Sequence, residues 1–214
     1  MRRGIRAGLP LLLPTLVIGV SFGVLAQPVM GAVAAVVMSL VVFAGSAQFA
    51  ALSVLAAGGT AAAAAGAGIL MNARFVPMGI AAASAIRGGR LRRAAEGWAL
   101  VDASWALASD GRGGFDREVL LGAAVPQAVG WWGGTALGVV AGSVLGDPQA
   151  LGLDAVFPAF YLALLVGEVR NGRALTAALL GAAIALALVP VVPPGVPVLA
   201  AAAAAFTGLR QAPE

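Results

Sequence analysis

Phe43-Ala44-Gly45-Ser46-Ala47-Gln48-Phe49 lies deep inside an apolar run that extends from Val29 to Ala57. On a continuous α-helix, residues two apart point about 160° away from one another. Ser46 and Gln48 would then project to opposite sides at a single depth. A break near Gly45 removes the conflict, because glycine leaves helical geometry at little cost, and it lets both side chains face one cavity. The competing reading is an unbroken, buried helix whose Ser46 and Gln48 bond to neighbouring helices. Ser39, Ser46 and Ser53, seven residues apart, would then form a narrow hydroxyl stripe on one face.

The surrounding composition says what kind of helix this is. Of 214 residues, 61% are hydrophobic and 10% charged, and the mean hydropathy is +0.98, outside the range of soluble globular domains. The chain reads as one integral membrane domain over residues 1–214, with lipid as its surroundings. Thirteen arginines, no lysine and no histidine give a net charge of +4. The arginines are scattered between apolar segments with no aromatic interleaving, which excludes a nucleic-acid surface. Cysteine is absent, so disulfides and thiolate metal sites are excluded. The sequence holds no enzyme constellation, metal cluster or phosphate loop, and no cofactor is expected. Pro10 and Pro14 inside the first apolar run favour a retained helix, bent near its start, over a cleaved leader.

The next apolar run repeats the opening pattern. Asn72 and Arg74 are again two apart, and an arginine near the bilayer centre costs about 2.5–3.5 kcal/mol on insertion scales. Pro77 has no N–H, so it would leave the carbonyl of Ala73 free between the Asn72 and Arg74 side chains. Interrupted helices of this kind hold solutes in many secondary transporters. The alternative is that Arg74 snorkels to an interface or is paired structurally. The candidate solute site is therefore Gly45, Ser46, Gln48, Asn72, Arg74 and Asp102, with Phe43, Phe49, Met71 and Met78 lining an apolar pocket.

At about 20 apolar residues per crossing, the segments are Leu9 to Gln27, Val29 to Ala57, Ala61 to Ile86, Val119 to Leu145, Leu153 to Val166, Ala174 to Val192 and Val196 to Leu209. A shorter eighth runs from Trp98 to Ala108. The expected fold is thus an all-α polytopic transmembrane bundle of about seven to eight segments, interrupted near Gly45 and over Asn72–Pro77. Residues 9–93 and 118–209 form possible repeat halves. Aqueous loops run from Arg87 to Arg93, Asp110 to Glu118 and Glu168 to Arg173, and Pro193-Pro194-Gly195 makes a turn. Arginines at 2, 3 and 6 and at 87, 90, 92 and 93 both call for the cytoplasmic side, yet three full crossings would separate them. Either one cluster breaks the rule, or one of the first three segments enters and returns.

Two features read as packing. Gly19 and Gly23 form a small-xxx-small pair, and Gly130, Gly134, Gly138, Gly142 and Gly146 recur every fourth position, a ridge that allows close helix approach within the chain or to a partner subunit. Trp98, Asp102 and Trp105 fall at i, i+4 and i+7, which would set a carboxylate between two indoles on one helix. Asp102 would then pair with Arg74, bind an ammonium group or carry a proton. If the segment lies at the interface instead, both indoles are belt residues and Asp102 is solvated.

Taken together, Val42-Phe43-Ala44-Gly45-Ser46-Ala47-Gln48-Phe49, Asn72-Ala73-Arg74, Asp102, Leu151-Gly152-Leu153-Asp154 and Phe157-Pro158-Ala159 resemble the motifs of the AzlC family of branched-chain amino acid permeases. The resemblance covers almost the whole chain. It implies a multi-pass exporter of branched-chain or similar apolar amino acids in the bacterial inner membrane, acting by secondary transport with a small AzlD-type membrane subunit. Phe75 stands where the family commonly has histidine, and Ala103 where it commonly has glutamate. Two other classes remain: a non-transporting membrane scaffold that works through the Gly130 to Gly146 ridge, and a channel for small polar solutes.

Overall fold

A computed structural model describes residues 1–142, 171–192 and 196–201, and also 152, 155, 159, 162, 165, 166, 169, 203 and 204. Most of the expected segment from Leu153 to Val166, the turn Pro193-Pro194-Gly195 and Gly146 lie outside the described residues. Eleven helices are described: α1 (Arg2–Gly8), α2 (Leu12–Met30), α3 (Ala32–Val41), α4 (Gly45–Ala56), α5 (Ala61–Asn72), α6 (Phe75–Ala81), α7 (Arg90–Trp98), α8 (Asp102–Ala108), α9 (Arg117–Ala141), α10 (Gly172–Leu188) and α11 (Val196–Ala201). The fold is all-helical. Two continuous stretches, Arg2–Met30 and Ala61–Ser84, are long and apolar enough to cross a membrane.

The first apolar run starts earlier than its hydropathy suggests. α1 carries the N-terminal arginines, and Pro10 lies in a 3₁₀ turn over Leu9–Leu11 that joins it to α2, at the place where the two prolines predict a bend.

α2 and α9 form the spine. They run side by side in the same direction, because both are paved with glycine at the contact. A Cβ at Gly130 would lie 2.6 Å from the Leu12 carbonyl oxygen, and one at Gly19 would lie 2.7 Å from that of Trp131. Gly134 and Gly138 abut the carbonyls of Leu16 and Val20 more closely still, and Gly23 abuts that of Thr135. The ridge therefore belongs to an internal seam, as small residues in lipid-type packing predict. Gly142 is at its edge, where a Cβ would be 3.5 Å from Val24 Cα.

The second apolar run is a helical hairpin. α3 starts at Gly31 (φ +81) and brings Ser39 level with Thr135. Val42 and Ala44 are extended, and the tip reaches a space it shares with Thr15, Ile18 and Gln127. α4 then turns back, stacking Phe49 edge-on against Phe22 with 5.6 Å between ring centres, and ends at Gly58 (φ +80). α5 returns alongside α4, with Ala47, Ala51, Ala64 and Gly68 lining one cleft.

A second hairpin opposes the first. α7 begins at the arginine-rich end, where Arg117 at the head of α9 forms a two-pronged ion pair with Glu96. The chain leaves helical geometry after Trp98, and Val101 is extended. α8 returns to Ala108, whose carbonyl accepts from the Asp116 N–H at 2.9 Å. The expectation of one helix from Trp98 to Ala108 is thus corrected. Ser104 makes the break, accepting from the Val101 N–H at 3.0 Å and donating to the Ala99 carbonyl at 2.7 Å. Trp98 and Asp102 are on different helices, so the carboxylate is not held between two indoles.

This topology also reconciles the arginine clusters. Arg3 lies 3.4 Å from Asp116, and Arg92 and Arg117 share Glu96, so both clusters gather at one end. Between the two clusters, α3–α4 runs to the middle of the spine and back, so it does not carry the chain to the opposite end. At the C-terminal end, Asn171 caps α10 by accepting from the Ala174 N–H.

Candidate functional site

The hairpin tips meet at the middle of the spine. Ser46, in the first turn of α4, accepts a hydrogen bond from Arg74 Nη2 at 2.6 Å, and the same nitrogen donates to Asp102 Oδ2 at 2.8 Å. Arg74 also lies over the Phe75 ring, 5.1 Å from its centre. Three of the six expected site residues, Ser46, Arg74 and Asp102, are therefore in direct contact. Both ion-pair partners are mostly shielded, with side-chain exposures of 20% and 29%. Such a pair is held by charge-assisted hydrogen bonds, and losing either member strands the other charge.

Gln48 goes elsewhere. It is fully buried, and its amide nitrogen donates to the carbonyls of Met38 at 2.9 Å and Val42 at 2.6 Å. It therefore closes the end of α3, adding a second donor to the Met38 carbonyl, which already accepts from the Val42 N–H at 2.8 Å, and a donor to the Val42 carbonyl beyond the helix. The expected convergence of Ser46 and Gln48 on one cavity is corrected: the break at Gly45 is real, but Gln48 ties the hairpin together. The serine stripe also divides. Thr135 donates to the Trp131 carbonyl, leaving Ser39 to donate to Thr135 at 2.8 Å, while Ser53 bonds back to Phe49.

The second interruption is gentler than expected. Ala73 and Arg74 keep helical backbone angles. The Ala73 carbonyl is not free, because it accepts from the Val76 N–H at 3.1 Å. A 3₁₀-like turn thus satisfies the carbonyl that Pro77 cannot.

A cavity of about 70 Å³ opens at the tips, lined by Thr15, Phe43, Gly45, Phe75, Asp102, Gln127 and Trp131 among others. Behind Phe43 and Phe75 lies a larger space of about 490 Å³, walled by Val41, Asn72, Ile86, Trp98 and Leu100. Asn72 is on this second cavity, away from Asp102. Of the expected apolar lining, Phe43 borders both spaces and stacks on Trp98 with 4.9 Å between ring centres. Phe49 packs on Phe22. Met78 packs into a cluster with Ile86 and Leu100, and its carbonyl accepts from Trp105. Met71 lines neither cavity.

Thr15, Phe75, Gln127 and Trp131 escaped the sequence reading as cavity residues. Trp131 is 4% exposed, and its indole N–H has no acceptor among the described residues. Burying an unmatched donor costs about 1–3 kcal/mol.

At the arginine-rich end, Glu96 is held by Arg117, with further hydrogen bonds from Arg92 and the Arg87 N–H. Against the cost of burial, the Arg117 contact above all lowers its pKa from about 4.5 to about 2.

The family comparison covers the stretch that forms this geometry. The model described as AzlC protein matches residues 10–145, more than half of the chain and all of both hairpins. The chain belongs to the AzlC family. An uncharacterized membrane protein of Archaeoglobus fulgidus is 31% identical over 196 residues, covering 87% of this chain and 83% of that protein. No solved structure matches. As an AzlC-family chain it is a membrane protein with a transport-related role, and its matched region contains Ser46, Arg74, Asp102 and Trp131 alike.

Proposed function

We propose that this AzlC-family chain exports branched-chain or similar apolar amino acids across the cell membrane by secondary transport, together with a small AzlD-type membrane subunit. The observation that carries the reading is the meeting of two opposed helical hairpins on one cavity beside the Arg74–Asp102 pair. Interrupted helices that meet near mid-membrane offer polar groups to a solute without exposing them to lipid. In this reading the α3–α4 hairpin enters from one face and α7–α8 from the other. The arginine-rich end faces the cytoplasm, and the bundle is polytopic in the inner membrane. The apolar cavity behind Phe43 and Phe75 suits a hydrophobic side chain, and Asp102 suits an ammonium group.

The scaffold reading loses its working surface, because Gly130, Gly134 and Gly138 are occupied by α2 of the same chain. The test is efflux of labelled leucine, isoleucine and valine from loaded cells. Cells carrying the chain and its small subunit should export faster than cells lacking the chain, and Asp102→Asn should abolish the difference while the protein still reaches the membrane. Equal efflux with and without the chain would refute the proposal.

A further inference from the structure

The chain has four tryptophans, and three of their indole N–H groups find backbone carbonyls. Trp98 donates to Val41, Trp105 to Met78 and Trp132 to Ser39. Trp131 alone of the four has a buried indole N–H without an acceptor among the described residues, and it lines the tip cavity. An indole can only donate, so what is missing is an acceptor.

The opposite wall of that cavity supplies more donors. α4 is 12 residues long and begins at Gly45, on the cavity surface, with no side chain capping its first amides. The first-turn amides of a helix have no intrahelical partners and carry the positive end of its dipole. Among the described residues, the only carboxylate on the cavity wall is Asp102, and Arg74 and Ser46 already anchor its side of the space.

We propose that the tip cavity is a carboxylate subsite, in which the open first turn of α4 and the Trp131 indole N–H receive a substrate carboxylate while Asp102 takes the adjacent ammonium. This deepens the transport reading, on which the amino acid identity rests. An α-amino acid is the chemistry that fits, because it presents an anion and a cation one carbon apart. A cavity of about 70 Å³ gives space for that head group. The apolar side chain passes between Phe43 and Phe75 into the space of about 490 Å³ behind them. Arg74 is then a positioning residue for Asp102 and does not itself bind the carboxylate.

The test uses the purified full chain and three probes: leucine, isoamylamine (the same side chain with the ammonium alone) and isocaproate (with the carboxylate alone). Trp131→Phe keeps a ring against Phe22 and removes the N–H together with part of the indole volume, a packing loss that falls on leucine and isoamylamine alike. A hydrogen bond to a charged group predicts that Trp131→Phe weakens leucine binding by about tenfold to a hundredfold, with isoamylamine unchanged within about twofold. Equal weakening of both probes, or no change for leucine, overturns the subsite. Leucine binding that is indifferent to Trp131→Phe leaves the transport reading standing without the subsite. Isocaproate binding that depends on Trp131, with no leucine binding, keeps the subsite and removes the amino acid reading. A wild type that binds none of the three overturns both. Should Trp131→Phe fail to fold, ultraviolet resonance Raman of the wild type replaces it. One indole N–H band should move to its hydrogen-bonded position on adding leucine and not on adding isoamylamine; no shift with leucine overturns the subsite.

Discussion

Gly133 and Gly134 are neighbours on one helix, yet replacing each with alanine should have opposite effects. Both substitutions gain about 1 kcal/mol of helix propensity. At Gly133 nothing lies within 4 Å of an added Cβ, so the gain is kept. At Gly134 the new methyl meets the Leu16 carbonyl, with Leu16 C and Val20 N both at 3.0 Å, against an ordinary contact of 3.4–4 Å. These are backbone atoms and cannot rotate aside, so α2 and α9 must separate by several tenths of an ångström. Gaps of that order forfeit a sizeable part of each dispersion contact along the seam, and overpacking of this kind costs about 1–3 kcal/mol. The two variants should therefore differ by about 1–3 kcal/mol, or roughly 2–12 °C in melting temperature for a chain of this size. The fraction remaining monodisperse on size exclusion after heating in detergent measures this directly. A Gly134→Ala protein that melts at or above Gly133→Ala would refute the internal seam and return the ridge to the surface.

Other outcomes follow from the tip and the arginine-rich end. Gln48→Ala removes two buried hydrogen bonds and takes from the Val42 carbonyl its Gln48 donor, while the Met38 carbonyl keeps the Val42 N–H, so it should destabilise by about 1–3 kcal/mol, read by the same melting assay. Arg74→Gln and Asp102→Asn should each lower leucine efflux at least about tenfold, and the double variant should be more stable than either single one, because neither charge is then left alone. Glu96 has its pKa lowered from about 4.5 to about 2, so its contribution is complete above pH 4.5 and is lost as pH falls towards 2. The melting difference between wild type and Glu96→Gln should accordingly be constant above pH 4.5 and close on acidification; a difference that grows on acidification would contradict the Arg117 contact.

The sequence carried the first hairpin because Ser46 and Gln48 cannot share a face of a continuous helix, and that conflict is purely local. It could not carry the destination of Gln48, since the carbonyls of Met38 and Val42 come within reach of its side chain only after the chain has turned back. The second hairpin was illegible for a related reason. Ala99, Leu100 and Val101 contain no glycine or proline, and the break is made by Ser104 reaching back to Ala99 and Val101. The i, i+4, i+7 spacing of Trp98, Asp102 and Trp105 then suggested a helix that does not exist. Glycine spacing announced close approach on both α2 and α9 but could not say that each was the other's partner. Trp131 sits among those glycines, and its place on the cavity wall is set only once the seam is formed.

The two hydrogen bonds from Gln48 have a mechanical consequence. They lace the end of α3 to the start of α4, so the break at residues 42–44 is a stiffened elbow. Movement of the tip relative to Asp102 must be taken up at the other end of the hairpin. There Gly31 and Gly58 both have positive φ, and neither has any atom within 4 Å of an added Cβ. The α3–α4 hairpin thus has its least constrained backbone at its base and its tip on the cavity, so a few degrees of rotation at those two glycines would become a larger displacement beside Asp102.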